Sequence, residues 1–222
     1  MPKRPVMLEN GNYYHVYNRG VNKRKIFLDT RDYQRALDSL LFYIHSGHRI
    51  RFSYFHRLNE RLKNEYIDGL TNQLIELNSF ALMPNHFHFL VYQNEANGIS
   101  NCLRRFENSY TKYFNTKYKR VGPLLQGRFK AVHITNDSQL LHVSRYIHLN
   151  PLTSGVINSL DELETFPWTS YPNFLNSSQE TKITNSIILG HFKNQSYKDF
   201  VSERADYQKE LESIKHITFE QI

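Results

Sequence analysis

Four stretches of the chain carry a β pattern and three carry a helical one. "NYYHVYNRG" (12–20) is rich in β-formers and stops at Gly20, which predicts a strand followed by a turn. In "DTRDYQRALDSLLFYIHSG" (29–47) the apolar residues Ala36, Leu37, Leu40, Leu41 and Ile44 recur at helical spacing. Asp29 or Thr30 stands ready to cap that helix, and Gly47 closes it. "NQLIELNSFALM" and "HFHFLVYQ" predict two strands joined by a tight turn at Pro84-Asn85. A basic helix follows from Ile99 to Tyr118, broken after it by Gly122, Pro123 and Gly127. "RFKAVHIT" alternates as a short strand. "NDSQLLHVSRYIHLN" reads as a helix with Asn136 or Asp137 as N-cap and Pro151 as its stop.

The order β-α-β-β-α-β-α predicts an α+β fold: a ferredoxin-like antiparallel sheet with helices on one face. Residues 48–72 interrupt the scheme. "RIRFSYF" alternates like a strand, whereas "HRLNERLKNEYIDG" reads as a charged helix, so this stretch is treated as an insertion. After "FPWTSYPNF" the composition turns to Ser, Asn and Gln over 173–180, which suggests a linker. The expected organisation is a domain over 1–172, with its insertion at about 48–72, then a linker and helical C-terminal extension over 173–222.

Composition narrows the class. At 222 residues, 40% hydrophobic and 14% aromatic, the chain can bury a substantial core. No apolar run approaches the roughly 20 residues that span a bilayer, and the amino terminus lacks an apolar leader. The one cysteine, Cys102, fits a reducing compartment and a buried small hydrophobe, so the expected location is cytoplasmic, with no membrane partner.

The net charge of +7 favours a polyanionic partner, and its distribution says more. Between 101 and 130 stand Arg104, Arg105, Lys112, Lys117, Lys119, Arg120, Arg128 and Lys130, with Glu107 as the lone acid. Tyr110, Tyr113, Phe114, Tyr118 and Phe129 are interleaved among them. Cations mixed with stacking rings suit single-stranded or distorted nucleic acid, although the same pattern also describes a solvated helix face with its rings in the core.

Candidate chemistry begins at "MPNHFHFLV". On a strand His86 and His88 share one face while Phe87 and Phe89 take the other. Two neutral imidazoles so placed can grip a divalent cation, but an HxH alone is more often a pair of structural histidines. Further donors have to come from elsewhere. Of the 15 tyrosines only Tyr14 and Tyr146 have a metal-capable side chain four residues on, and only Tyr146 lies in a predicted helix. Tyr146 and Asn150 therefore form a candidate pair, with His142 one turn earlier as a possible accessory. A tyrosine beside a bound cation points to nucleophilic attack on a phosphodiester; water as the nucleophile would give plain hydrolysis.

"MPNHFHFLV", "LLQGRFKAV", "RYIHLNP" and "WTSY", in this order, resemble the single-tyrosine His-hydrophobic-His transposases, in particular the REP-associated tyrosine transposases. The resemblance runs from about Tyr13 to Tyr171. It implies Tyr146 as the nucleophile and His86, His88 and Asn150 as ligands of Mg²⁺ or Mn²⁺. It also implies cleavage of single-stranded DNA beside hairpins, leaving a 5′-phosphotyrosine and a free 3′-OH, with no small-molecule substrate. Arg19, Arg104, Arg105, Lys112, Arg128 and Lys130 are the expected DNA contacts. "PLTSG" stands where the family more usually has Pro-Val-Arg-Ala-Gly, which removes one basic residue. The other reading is a domesticated protein that binds hairpin nucleic acid without cutting it. Oligomeric state is open.

Overall fold

Pro84 and Asn85 turn the chain between β2 (Ile75–Met83) and β3 (His86–Gln93), which pair antiparallel with Met83 opposite His86. In this computed structural model, which describes residues 6–176, 183–192 and 195–205, β1 (Tyr13–Arg19) pairs with the other edge of β3. β4 (Lys130–Ile134) pairs antiparallel with β1, so the described strands form one sheet in the order β2-β3-β1-β4. This is the expected antiparallel α+β sheet. The β2–β3 turn is pinned from outside: Gly20 N donates to Asn85 O at 2.8 Å and Ile26 N to Pro84 O at 2.7 Å. Gly20 is required there, because a Cβ would sit 2.2 Å from Arg24 O.

α1 (Thr30–Tyr43) starts at Asp29, whose side chain accepts from Asp32 N at 3.0 Å. Between α1 and β2 the chain forms α2 (Phe52–Phe55) and α3 (Glu60–Asp68). The strand-like reading of "RIRFSYF" is corrected here. Phe52 and Phe55 close a small satellite core with Phe42 and Ile67, and helical spacing lets both rings reach it. Lys63 Nζ and His56 Nδ1 meet Asp38 Oδ2 at 3.1 and 2.8 Å and fasten this segment to α1.

α4 (Gly98–Lys117) packs on α1 and on one face of the sheet, where Phe106 meets Phe87 and Phe89. Much of its basic and aromatic character is structural. Phe106, Tyr110 and Phe114 are buried, as is Cys102. The carboxylate of Asp32 accepts from Tyr113 Oη, Lys117 Nζ and Tyr118 Oη at 2.9, 2.7 and 2.8 Å, which locks α1 to α4.

α1 and α4 thus share one face, but the expectation that the helices all take that face is corrected. The opposite face is covered by α5 (Asp137–Thr153), capped by Asn136, whose side chain accepts from Gln139 N at 2.9 Å. Pro151 does not stop α5, contrary to the sequence expectation. It falls in the last turn, where the lost amide costs one hydrogen bond, and Ser154 N still closes on Asn150 O at 3.1 Å.

α6 (Leu160–Thr165) and α7 (Tyr171–Leu175) follow α5. Between them Trp168 O accepts from Leu82 N at 2.8 Å and Ser170 N donates to Phe80 O at 3.0 Å, so "WTSY" covers the outer edge of β2. The expected linker over 173–180 is corrected in its first part, where residues 173–175 belong to α7 and Phe174 is buried, and 177–180 lie outside the described residues. In the described tail, α8 (Ser186–Leu189) and α9 (Tyr197–Ser202) place Ile188, Tyr197 and Val201 in the same hydrophobic core as the sheet. No described helix is long and apolar enough to cross a membrane.

Candidate active site

Register decides which side chains share the face under α5. Across the strands Arg19 stands opposite His86, and His88 stands between Ala81 and Tyr17, which in turn faces Lys130. His15, two residues before Tyr17, joins the same face, while Phe87 and Phe89 point through the sheet to α4. α5 then lays Tyr146 and Asn150, one helical turn apart, against this row.

The four residues expected at the site converge. His86 Nε2 lies 3.1 Å from Asn150 Oδ1, and the Tyr146 ring stands edge-on to His88 at 5.5 Å between centroids. The two strand histidines are themselves edge-on at 5.0 Å. His88 and Asn150 are buried; His86 and Tyr146 are half-buried and so keep a path to a large substrate. Burial, reinforced by His15 and His86, holds the His88 pKa well below the ordinary value, so the ring is neutral at physiological pH. Burial alone lowers His15 to about 4.

The donor set suits a cation. His86 Nδ1 meets Asn85 Oδ1 at 2.6 Å, and Asn85 is oriented by its Nδ2 donating to Lys23 O at 3.3 Å. A neutral imidazole has one proton to donate, so if His86 gives Nδ1–H to Asn85 its Nε2 lone pair faces the Asn150 oxygen. In that tautomer two lone pairs oppose each other at 3.1 Å, which a cation held between them would satisfy. Among the described residues no group of three His, Cys, Asp or Glu side chains stands ready as a ligand set. Two imidazoles and one amide oxygen leave positions for phosphate and water oxygens. That open arrangement is unlike a closed structural zinc site.

The remaining expected residues divide. His142 does not join the cluster: it is exposed, its Nδ1 accepts from Arg145 Nη2 at 2.7 Å, and its ring lies 6.3 Å from Phe200. Arg19 on β1 and Lys130 on the neighbouring β4 are exposed, and Arg19 Nε donates to Gln126 Oε1 at 2.7 Å. Arg128 is exposed in the loop leading into β4. Arg104, Arg105 and Lys112 are exposed on α4, which packs on the other side of the sheet.

One residue at the site escaped the sequence reading. His15 Nε2 lies 2.8 Å from His88 Nδ1, and its ring is edge-on to Tyr146 at 5.9 Å. Its period-two phase with Tyr17 and Arg19 was readable. The pairing of β1 with β3, which brings that phase against the histidines, was not.

Residues 48–150 match the sequence model of the family described as "Transposase IS200 like". The matched span contains His86, His88, Tyr146 and Asn150 and begins with the segment that bears α2 and α3. No curated protein matches the chain. Among solved structures, a REP-associated tyrosine transposase bound to a REP hairpin is similar with a TM-score of 0.57 at 16% identity, covering 82% of this chain and 90% of that one. A candidate transposase from Deinococcus radiodurans R1 has 13% identity and a TM-score of 0.35, covering 66% of this chain and 95% of that one. Residues 48–150 are thus similar to the IS200-like transposases, and the first of these structures shares the fold of the chain.

Proposed function

We propose that this chain is a transposase that cuts single-stranded DNA beside a hairpin and rejoins it through a covalent bond to Tyr146. The observation that carries the reading is the convergence of His86 and His88 on β3 with Tyr146 and Asn150 on α5. The IS200-like match supports transposition as the reaction class, and the hairpin in the similar structure supports hairpin DNA as the substrate class.

His86, His88 and Asn150 would hold Mg²⁺ or Mn²⁺, which when bound supplies positive charge to the scissile phosphate and the leaving 3′ oxygen. Tyr146 performs the covalent step. Phenols ionise only near pH 10, so the hydroxyl gives up its proton as it attacks. The Tyr146 oxygen forms a bond to phosphorus, the bond from phosphorus to the 3′ oxygen breaks, and that oxygen takes a proton to become a free 3′-OH. The phosphotyrosine ester keeps the bond energy, so a 3′-OH attacking it reverses the step and releases Tyr146. α5, packed along the face of β2 and β3, holds the tyrosine over the histidine row without substrate. Lys130 and Arg19, exposed on that side, offer charge to the DNA backbone.

Incubation with a hairpin bearing a single-stranded flank and Mn²⁺ should yield a protein–DNA adduct that survives denaturation, and Tyr146→Phe should abolish it. An adduct at the wild-type level in Tyr146→Phe would remove Tyr146 as nucleophile. Cleavage that persists in that variant, without adduct, would instead favour water.

A further inference from the structure

The contact between His15 and His88 is a nitrogen-to-nitrogen hydrogen bond of 2.8 Å between rings inclined by only 24°. Such a bond carries one proton, and its side decides what His88 can do. If His15 donates, His88 accepts on Nδ1 and carries its own proton on Nε2, which closes that nitrogen to a cation. If His88 donates, Nε2 keeps its lone pair.

We propose that His15 is a positioning residue that accepts the Nδ1 proton of His88 and so fixes the tautomer and ring orientation His88 needs as a ligand. This rests on the reading of His86, His88 and Asn150 as a divalent-cation site. Three observations carry it. His86 is built the same way, its Nδ1 facing the acceptor oxygen Asn85 Oδ1 at 2.6 Å, so both strand histidines have an outer partner on Nδ1. His15 is fixed in position, because β1 lies between β3 and β4 in the sheet. Its ring also touches Tyr146 edge-on at 5.9 Å, so His15 contacts both the His88 ring and the proposed nucleophile. With Nε2 committed to His88, His15 acts through a ligand and is not itself one. Metal-bound histidines commonly donate their second N–H to a fixed acceptor, and loss of that acceptor weakens the metal by roughly 10–100-fold.

The test uses the full chain labelled with ¹⁵N-histidine. In the metal-free protein, nitrogen–proton correlation spectra should show His88 protonated on Nδ1 and bare on Nε2. His15→Phe, which keeps a ring but no acceptor, should lose that single tautomer. It should also weaken Mn²⁺ binding, followed by the electron paramagnetic resonance of the free ion, by about 10–100-fold. His15→Gln, which restores an acceptor oxygen, should recover most of both. A wild-type His88 protonated on Nε2 overturns the proposal, as does His15→Phe with unchanged tautomer and Mn²⁺ affinity. His86→Ala and His88→Ala separate the two levels. If both lose Mn²⁺ while His15→Phe keeps it, only the role of His15 falls. If neither weakens Mn²⁺, the cation site falls and the role of His15 with it.

Discussion

His86 Nε2 and Asn150 Oδ1 meet at 3.1 Å across 64 positions of sequence, one on a strand and the other on a helix packed over it. Both atoms are acceptors once His86 has given its proton to Asn85. In that tautomer the contact is rich in lone pairs, a poor hydrogen bond and a good beginning for a cation site.

Changing the charge of the oxygen tests this. Asn150→Asp puts a carboxylate in the amide's place with almost the same shape, so a hard divalent cation should bind more tightly, on the order of tenfold or ~1.4 kcal/mol. Asn150→Ala removes the donor and should weaken binding. Mn²⁺ titration followed by electron paramagnetic resonance reads both variants. Equal affinity in Asp, Asn and Ala proteins would mean that residue 150 does not ligate.

That juxtaposition was only half legible in the sequence. The i, i+2 spacing gave the two histidines one face, and the i, i+4 spacing gave Tyr146 and Asn150 another. Nothing local could say that α5 crosses to the side of the sheet opposite α1 and α4. The ferredoxin-like order led to the expectation of helices on one face, whereas α5 packs on β2 and β3 from the other. Local pattern also left the basic aromatic helix open between two readings, because Asp32, the partner of Tyr113, Lys117 and Tyr118, lies 81 to 86 residues away. The four strands, by contrast, carry a turn or break beside them that sequence alone displays.

His148 shows how the reverse side of the tyrosine helix is held. It is fully buried, with Nδ1 2.7 Å from Tyr197 Oη and Nε2 2.7 Å from Ser170 Oγ, while Tyr197 Oη also reaches Ser144 Oγ at 2.6 Å. Its ring is otherwise surrounded by Tyr171 and Phe174. Burial pushes its pKa down to about 3. The unfolded chain, near 6.5, then binds the proton first as pH falls. The stability His148 contributes is complete above 6.5 and is lost progressively toward 3, at up to about 1.4 kcal/mol per pH unit. Urea unfolding of wild type and His148→Phe between pH 6 and 4 should show the flatter acid slope in the variant. His15 and His88 stay in both proteins and cancel. Parallel slopes would mean that His148 protonates alike in folded and unfolded chains.

The sheet also separates two sets of cations that charge counting had grouped together. Lys130 stands in one cross-strand row with Tyr17 and His88, and Arg19 stands opposite His86. Arg104, Arg105 and Lys112 lie on α4, whose Phe106 packs against Phe87 and Phe89 on the far face. A single strand threaded past Tyr146 runs beside the first set and would have to pass round the sheet to meet the second. Removing a cation that neutralises one phosphate lowers the salt dependence of binding by about one in log–log slope. Arg19→Ala with Lys130→Ala should therefore weaken binding of a hairpin with a single-stranded flank and flatten its slope by about two. Arg104→Ala with Arg105→Ala should change that slope less. Fluorescence anisotropy across a salt series distinguishes them. An equal or larger effect in the α4 pair would show that the hairpin wraps the molecule, with the helix behind the sheet as part of its seat.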